Sequence, residues 1–217
     1  RPPRSTQSRS SAASDVYKRQ ALERLGLPAD KDDARVQALL DEVKAREDQG
    51  YSYEAAEASF ELLARRTLAT VPRYFSVDNF RVTVERREER SRAMNGNGTV
   101  SHAVVTVSIA GDDAPLVSVG EGNGPVNALD KALRSDLGRY QKHIENVELV
   151  DYKVRILTQT HNGGTDAVTR VLVESHDPTT GDRWTTVGVS PNIIDASFEA
   201  LLDSINFKLL KDEAQIG

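Results

Sequence analysis

The sequence predicts an α+β fold in which a helical segment precedes two βββα units related by pseudo-twofold symmetry. Apolar residues recur at spacings of three and four between residues 21 and 70, as in amphipathic helices. Short runs that alternate apolar and polar residues follow from residue 73 onward, as in half-buried strands. The stretch from Val119 to Ala128 resembles the stretch from Val187 to Ala196, 68 positions later. A strand, a tight loop and a helix start therefore occur twice.

The composition is typical of a soluble globular protein. Of 217 residues, 38% are hydrophobic and 28% charged, and the net charge of −5 does not favour a general nucleic-acid binder. No apolar run reaches the roughly 18 residues of a membrane span. Cysteine is absent, which excludes disulfides, thiolate nucleophiles and cysteine metal sites. Because no secretory signal is recognisable, we expect a cytoplasmic protein.

The N-terminal third divides into two parts. Residues 1–20 are rich in Ser and Arg and poor in apolar residues, so we expect a disordered tail or a sequence artefact outside the fold. Residues 21–72 predict a helical subdomain. Its main helix is expected to begin at Asp32 or Asp33, either of which can cap it, and to end at Gly50.

Residues 73–217 predict the two βββα units. In the first unit we expect strands at 80–84, 103–109 and 116–120 and a helix that begins near Pro125. In the second unit we expect strands at 151–157, 167–174 and 184–189 and a helix that continues to Leu209. Three strands with one apolar face need a cover, so the units are expected to pack on each other.

The loop from Gly120 to Gly124 is the best candidate binding element. It stands between a strand and a helix start, where free backbone N–H groups favour an anion and glycine lets a ligand approach closely. Its G-x-G-x-G spacing and the absence of a βαβ unit argue against a dinucleotide fold. A small carboxylate, such as that of an amino acid, fits better than a phosphate because the loop contains no lysine. A glycine-rich turn without a ligand remains the alternative.

The second loop, Ser190-Pro191-Asn192, lacks glycine, and capping of the next helix by Ser190 or Asn192 is the expected role. Outside the loops, no pattern indicates a catalytic centre. The four histidines have no metal-binding spacing, and no G-x-S-x-G elbow is present. We therefore predict no catalytic residue, no metal ligand and no cofactor in this chain.

Four stretches carry a resemblance to a known family. The stretch from Gly50 to Leu63 resembles the helical linker of (R)-citramalate synthases. Three others resemble the C-terminal regulatory domain that these enzymes share with 2-isopropylmalate synthases: Glu121 to Leu129, Asp151 to Arg155 and Val187 to Ser197. The resemblance implies that residues 21–72 form a linker subdomain and residues 73–217 an allosteric, dimerising regulatory domain.

The resemblance also implies a parent enzyme that condenses acetyl-CoA with pyruvate in isoleucine synthesis. Its catalytic TIM barrel, with a divalent metal, would precede Ala21, so this chain would be an inactive fragment. The implied partners are a second copy of the chain and a branched-chain amino acid effector, isoleucine or leucine. One alternative is the regulatory domain of a 2-isopropylmalate synthase, and another is a stand-alone amino-acid-binding or dimerisation module.

The resemblance places the effector between the two units, at the repeated loops. Backbone N–H groups at the helix starts would bind its carboxylate, and Val126, Ile193 and Ile194 would form apolar walls. The expected effector-binding residues are Gly120, Gly122, Asn123, Gly124, Pro125, Val126 and Asn127 in the first loop and Ser190, Pro191, Asn192, Ile193 and Ile194 in the second.

Overall fold

The computed structural model describes residues 16–30, 32–69, 71–86, 99–157 and 167–214. Its helices are α1 (16–24), α2 (Ala34–Gln49), α3 (Glu57–Leu68), α4 (Pro125–Ser135), α5 (Gln141–Ile144) and α6 (Ile193–Lys211). Its strands are β1 (Phe75–Arg86), β2 (Thr99–Ile109), β3 (Leu116–Gly122), β4 (Glu148–Leu157), β5 (Val168–Asp177) and β6 (Asp182–Ser190). None of the helices in these ranges is long and apolar enough to cross a membrane.

The strands form two antiparallel three-stranded sheets, in the orders β1-β2-β3 and β4-β5-β6. Ala103 pairs with Gly120 in the first sheet, and Val171 pairs with Gly188 in the second. Both residues of the second pair stand 68 positions after their counterparts, so the repeat holds in the register of the sheets. The predicted α+β fold of two βββα units is confirmed.

The first strand of each unit differs most from its prediction. β1 begins at Phe75 rather than at residue 80, because it pairs with β2 as far as Ile109. The register of β1 shifts after Val77 and that of β4 after Leu149, 72 positions later. By the same offset, Phe80 of β1 corresponds to Tyr152 of β4. The two bulges make these strands equivalent in shape as well as in place.

One apolar core lies between the sheets. α4 packs on the first sheet, α6 packs on the second, and the two helices contact each other. Buried residues of both units belong to this single cluster, among them Val105, Leu129, Val173 and Leu201. The units therefore form one body, and any site between them is framed by both helices.

Helices α2 and α3 belong to residues 21–72, the segment predicted as a linker and called the linker below, and they cover the outer face of the second sheet. Val187 of β6 is buried in a second apolar cluster with residues of α2 and α3. The predicted ends of α2 are confirmed: Asp33, rather than Asp32, accepts a hydrogen bond from the N–H of Arg35 at 2.8 Å, and Gly50 adopts a left-handed φ of 118°. Among the described residues, the equivalent outer face of the first sheet stays open, since Val119 is 62% exposed and Val187 only 1%.

Helix α1 crosses the boundary predicted at residue 20. Residues 16–20 are helical and continue without a break into 21–24. Lys18 is buried, and its Nζ lies 2.7 Å from a carboxylate oxygen of Glu47 in α2. The last residues assigned to the tail thus pack on the linker, while the rest of that segment and residues 87–98 and 158–166 lie outside the described residues.

Candidate functional site

The N-terminus of α4 has no side-chain cap. Its N-cap residue is Gly124, Pro125 stands at the first helical position, and no acidic residue lies in the first turn. Among the described residues, no side chain therefore satisfies the first N–H groups of this helix. Those groups and the helix dipole leave a site with positive potential that favours an anion.

The N-terminus of α6 is capped instead. The side-chain oxygen of Asn192, at the position equivalent to Gly124, accepts a hydrogen bond from the N–H of Ile194 at 2.9 Å. The hydroxyl of Ser190 accepts one from the N–H of Asn192 at 3.1 Å, and Asp195 adds a carboxylate in the first turn. The predicted capping role of the second loop is confirmed, with Asn192 as the cap. This helix start is already satisfied.

Two of the three loop glycines are explained by packing. A Cβ on Gly120 would lie 2.3 Å from the carbonyl oxygen of Ala128. A Cβ on Gly122 would lie 2.6 Å from the backbone nitrogen of Ala128. Gly188 in the second unit meets Ala196 in the same way, at 1.9 Å. These glycines let a helix approach its strand closely. Of the three glycines in the first loop, only Gly124 has no atom within 4 Å of the position a Cβ would take.

A cleft of about 560 Å³ lies between α4 of the first unit and the start of β4 in the second. We call it the α4–β4 cleft. Its lining residues are Val126, Asn127, Asp130, Val147, Glu148, Leu149 and Tyr152. Apolar side chains and carboxylates thus face one space at the junction of the units, a common position and composition for a ligand site.

Two buried polar groups of the first unit lack partners in the described part of the chain, and one of them, in Arg134, belongs to a side chain that contacts residues lining this cleft. Arg134 donates to Asp130 at 2.6 Å and to the carbonyl of Val147 at 3.1 Å, but its buried Nη2 has no hydrogen-bond partner among the described residues. Ser101, which pairs with Gly122 across β2 and β3, has a buried hydroxyl without a partner in the same part of the chain. Buried polar groups are usually satisfied, so both atoms are exceptions within the part of the chain that the structure describes.

Tyr152 connects the cleft to α6. Its hydroxyl lies 2.7 Å from the Oγ of Ser197, which itself donates to the carbonyl of Ile193 at 2.6 Å. Tyr152 therefore donates to Ser197. Tyr152 lies in the stretch from Asp151 to Arg155 that carries the family resemblance, but no sequence pattern predicted it as a site residue. The available signal was its hydroxyl, which needs a partner when the ring is packed in a core.

A second cleft of about 550 Å³ is the counterpart of the first. It lies between β1 and α6, so each cleft joins the first strand of one unit to the helix of the other. Here Phe80 stands at the position of Tyr152, and its ring packs on Phe198 with centroids 4.3 Å apart. We call it the β1–α6 cleft. An aromatic pair occupies the place where the α4–β4 cleft has a hydroxyl and carboxylates.

The structure separates the two predicted loops. Val126 and Asn127 line the α4–β4 cleft, and the chain reaches them through Asn123, Gly124 and Pro125. No residue from Ser190 to Ile194 lines that cleft: Pro191, Asn192 and Ile193 are exposed, and Ile194 packs on the shared core. The second loop reaches the cleft only indirectly, through Ser197 and Tyr152. In the described residues, no group of three or more His, Cys, Asp or Glu is placed to hold a metal ion.

Comparisons with known proteins agree with this architecture. Over 191 residues the chain is 44% identical to the (R)-citramalate synthase of Geobacter sulfurreducens. The aligned region is 88% of this chain and 34% of that protein. The (R)-citramalate synthase of Aquifex aeolicus is 42% identical over 195 residues, 89% of this chain and 34% of that enzyme. The (R)-citramalate synthase of Streptomyces coelicolor is 40% identical over 203 residues, which are 91% of this chain and 36% of that enzyme. The chain thus spans about a third of the length of these relatives.

Residues 54–209 match the family described as the LeuA allosteric (dimerisation) domain. That description and the relatives confirm the resemblance drawn from the sequence, and they support the predicted homodimer. The match begins within the linker, at Glu54, so it includes α3 as well as both βββα units. The chain belongs to the LeuA allosteric (dimerisation) domain family and is similar over most of its length to (R)-citramalate synthases.

Proposed function

We propose that this chain is the regulatory part of a citramalate synthase and that its α4–β4 cleft binds isoleucine as the end-product inhibitor. The observation that carries the proposal is the uncapped N-terminus of α4, which opens at a cleft between the two units. The parent enzyme would condense acetyl-CoA with pyruvate in a metal-dependent barrel outside this chain. The chain would act in the cytoplasm as a homodimer.

The cleft fits each part of a free branched-chain amino acid. The first N–H groups of α4 would bind the carboxylate, with Gly124 leaving room for it. Glu148 and Asp130 would receive the ammonium group. Val126 and Leu149 would contact the aliphatic side chain. A site that binds all three parts would distinguish an amino acid from a keto acid, which lacks the ammonium group.

Inhibition would follow from a population shift. If isoleucine binds one arrangement of the two units better than another, it stabilises that arrangement, and the linker transfers the bias to the barrel. A coupling free energy of about 1–3 kcal/mol would change activity or substrate affinity roughly 5–150-fold.

Calorimetry with isoleucine and with leucine on the purified chain tests the effector. We expect saturable binding with tighter affinity for isoleucine. Tighter binding of leucine would contradict this assignment and favour the regulatory domain of a 2-isopropylmalate synthase. Binding of neither amino acid would contradict the effector site and favour a stand-alone dimerisation module.

Gly124→Asp tests the location of the site. We expect the variant to bind isoleucine at least about tenfold more weakly, because the new carboxylate excludes that of the ligand. It should remain folded, since no atom lies within 4 Å of a Cβ at this position and Asp is a favourable N-cap. The matched control is Asn192→Asp, which places the same group at the equivalent helix start. Unchanged affinity in folded Gly124→Asp would place the site elsewhere.

A further inference from the structure

Hydrogen bonds and an ion pair along one side of α6 connect the linker to the second unit. The hydroxyl of Tyr51 donates to Glu199 at 2.7 Å, and the hydroxyl of Ser59 donates to Asp203 at 2.9 Å. Arg66 of α3 lies 3.4 Å from the other oxygen of Asp203. We call these five residues the α6 seam. It joins positions that lie more than 130 residues apart in the chain.

The seam also closes the free edge of the second sheet. The N–H of Val187 donates to the hydroxyl of Ser59 at 3.0 Å, and the N–H of Val189 donates to Glu199 at 2.9 Å. Glu199 therefore binds the linker with one oxygen and strand β6 with the other. Burial, together with the hydrogen bond to Glu199, raises the pKa of the Tyr51 hydroxyl, so this hydroxyl stays a donor well above neutral pH. A shift of α6 relative to β6 would therefore also change the contact between Glu199 and Tyr51 of the linker.

The first unit lacks these contacts at the same positions. Lys131 stands where the second unit has Glu199, and its Nζ donates to the carbonyl of Glu121 in its own sheet at 3.0 Å. Ser135 stands where the second unit has Asp203 and donates to the carbonyl of Ala132 at 2.9 Å. Both side chains bond within their own unit. The carboxylates that hold the linker are therefore specific to α6.

Helix α6 contacts Tyr152, which lines the α4–β4 cleft, and the linker with opposite faces. Ser197 receives the Tyr152 hydroxyl from the cleft side, and Glu199 follows two positions later. At about 100° per residue, side chains two positions apart point nearly opposite ways. Three consecutive residues thus have different neighbours: Ser197 contacts Tyr152 of the α4–β4 cleft, Phe198 lines the β1–α6 cleft, and Glu199 contacts the linker.

We infer that the α6 seam is the element that transmits occupancy of the α4–β4 cleft to the linker, with Glu199 and Tyr51 as the coupling pair. The inference rests on the proposed function. A ligand that closes the cleft moves Tyr152 and, through Ser197, the start of α6. The helix is rigid over this distance, so Glu199 moves with it and changes the position of Tyr51. By linkage, the docking of the linker changes the affinity for the ligand by the same factor.

Hydrogen exchange measured by mass spectrometry on the whole chain tests this inference. With saturating isoleucine, we expect amide exchange in α2 and α3 to change at least about threefold, although neither helix lines the cleft. Tyr51→Phe removes only the hydroxyl and should abolish that response while calorimetry still detects binding. Glu199→Gln provides a second variant. The matched control is Lys131→Gln, the equivalent position in the first unit, which should keep the full response.

Each result has a defined meaning. Binding of isoleucine without any change in α2 and α3 of the wild-type chain would overturn the inference and leave the effector site standing. A full linker response in folded Tyr51→Phe and Glu199→Gln would also overturn it. Failure of the wild-type chain to bind isoleucine or leucine would overturn the proposed function, and the inference with it. A loss of response in Lys131→Gln equal to that in Tyr51→Phe would show that the effect is not specific to the seam.

Discussion

The two βββα units share their interior and differ at their ends and outer faces. Gly120 and Gly188 occupy the same register position and admit a helix in the same way. In contrast, Gly124 leaves one helix start uncapped, whereas Asn192 caps the other. The outer face of the second sheet lies under the linker, while that of the first is exposed in the described residues. The packing is common to both units, whereas the uncapped helix start belongs to the first unit and the contact with the linker to the second.

The largest expected effect comes from a buried ion pair present only in the second unit. The Nζ of Lys208 lies 2.7 Å from Asp177 and 2.7 Å from Asp212, and the first unit has Ile109 at the position of Asp177. Lys208→Met leaves the buried carboxylate of Asp177 without its cation, whereas Asp212 keeps His143 at 2.9 Å, so we expect a loss of about 3–5 kcal/mol in the free energy of unfolding. Urea denaturation at pH 7 measures it. The control Asp177→Ile/Lys208→Met copies the apolar residue of the first unit and should recover part of the loss.

The same ion pair predicts that the protein loses stability at acid pH. The hydrogen bond from Lys208 lowers the pKa of Asp177 to about 2, from 3.8. A carboxyl with a lowered folded pKa stabilises the protein above its unfolded value and loses that contribution as the pH falls from about 4 to about 2. Unfolding measured across this range should show the loss in the wild-type chain and less of it in Asp177→Asn. An identical acid profile in the two proteins would contradict the assignment.

The equivalent glycines offer the next largest effect. Gly188→Ala places a Cβ 1.9 Å from the backbone oxygen of Ala196, and Gly120→Ala places one 2.3 Å from that of Ala128. We expect losses of about 3 and about 2 kcal/mol, because backbone must move in both cases. Thermal or urea unfolding compares them with Gly124→Ala, which meets no atom within 4 Å. Tolerance of Gly188→Ala would contradict the close packing of α6 on its sheet.

The helix caps give the smallest effect and compare the two loops directly. Asn192→Ala removes a hydrogen bond to the N–H of Ile194, so we expect a loss of about 1 kcal/mol. Gly124→Asn supplies the cap that α4 lacks and should gain a few tenths of a kcal/mol while weakening isoleucine binding. Urea denaturation and calorimetry on the same samples separate stability from affinity. A stabilised Gly124→Asn with unchanged affinity would show that the uncapped helix start is not the carboxylate site.

Local patterns predicted most of the elements but few of their boundaries. Gly50 ends α2 as expected, because a left-handed terminal residue is a local property of glycine. The start of β1 at Phe75 depends on its pairing with Ile109, which lies far along the chain. Helix α5 has only four residues and carries no periodic signal that could be read. Boundaries fixed by distant partners are not visible in a local pattern.

The candidate site was predicted in part. The first loop was expected at a helix start and lies there, and its lack of a cap is visible in the sequence as Gly124 followed by Pro125. The packing roles of Gly120 and Gly122 were not predicted, because only the structure shows that Ala128 lies against them. Tyr152 was missed because its position depends on how one unit packs on the other. The second loop caps its own helix as its residues predicted, and its part in ligand binding, which the family resemblance implies, stays a prediction.

The sequence by itself determined the duplicated unit, the order of its strands and helices, and the family. These follow from periodicity, from glycine and proline positions and from similarity, all of which are properties of neighbouring residues or of whole stretches. Only the tertiary structure decided how the two clefts between the units differ and which unit holds the linker. Contacts such as Tyr51 to Glu199, 148 positions apart, arise because packing buries polar groups that then require partners. No local pattern contains that pairing.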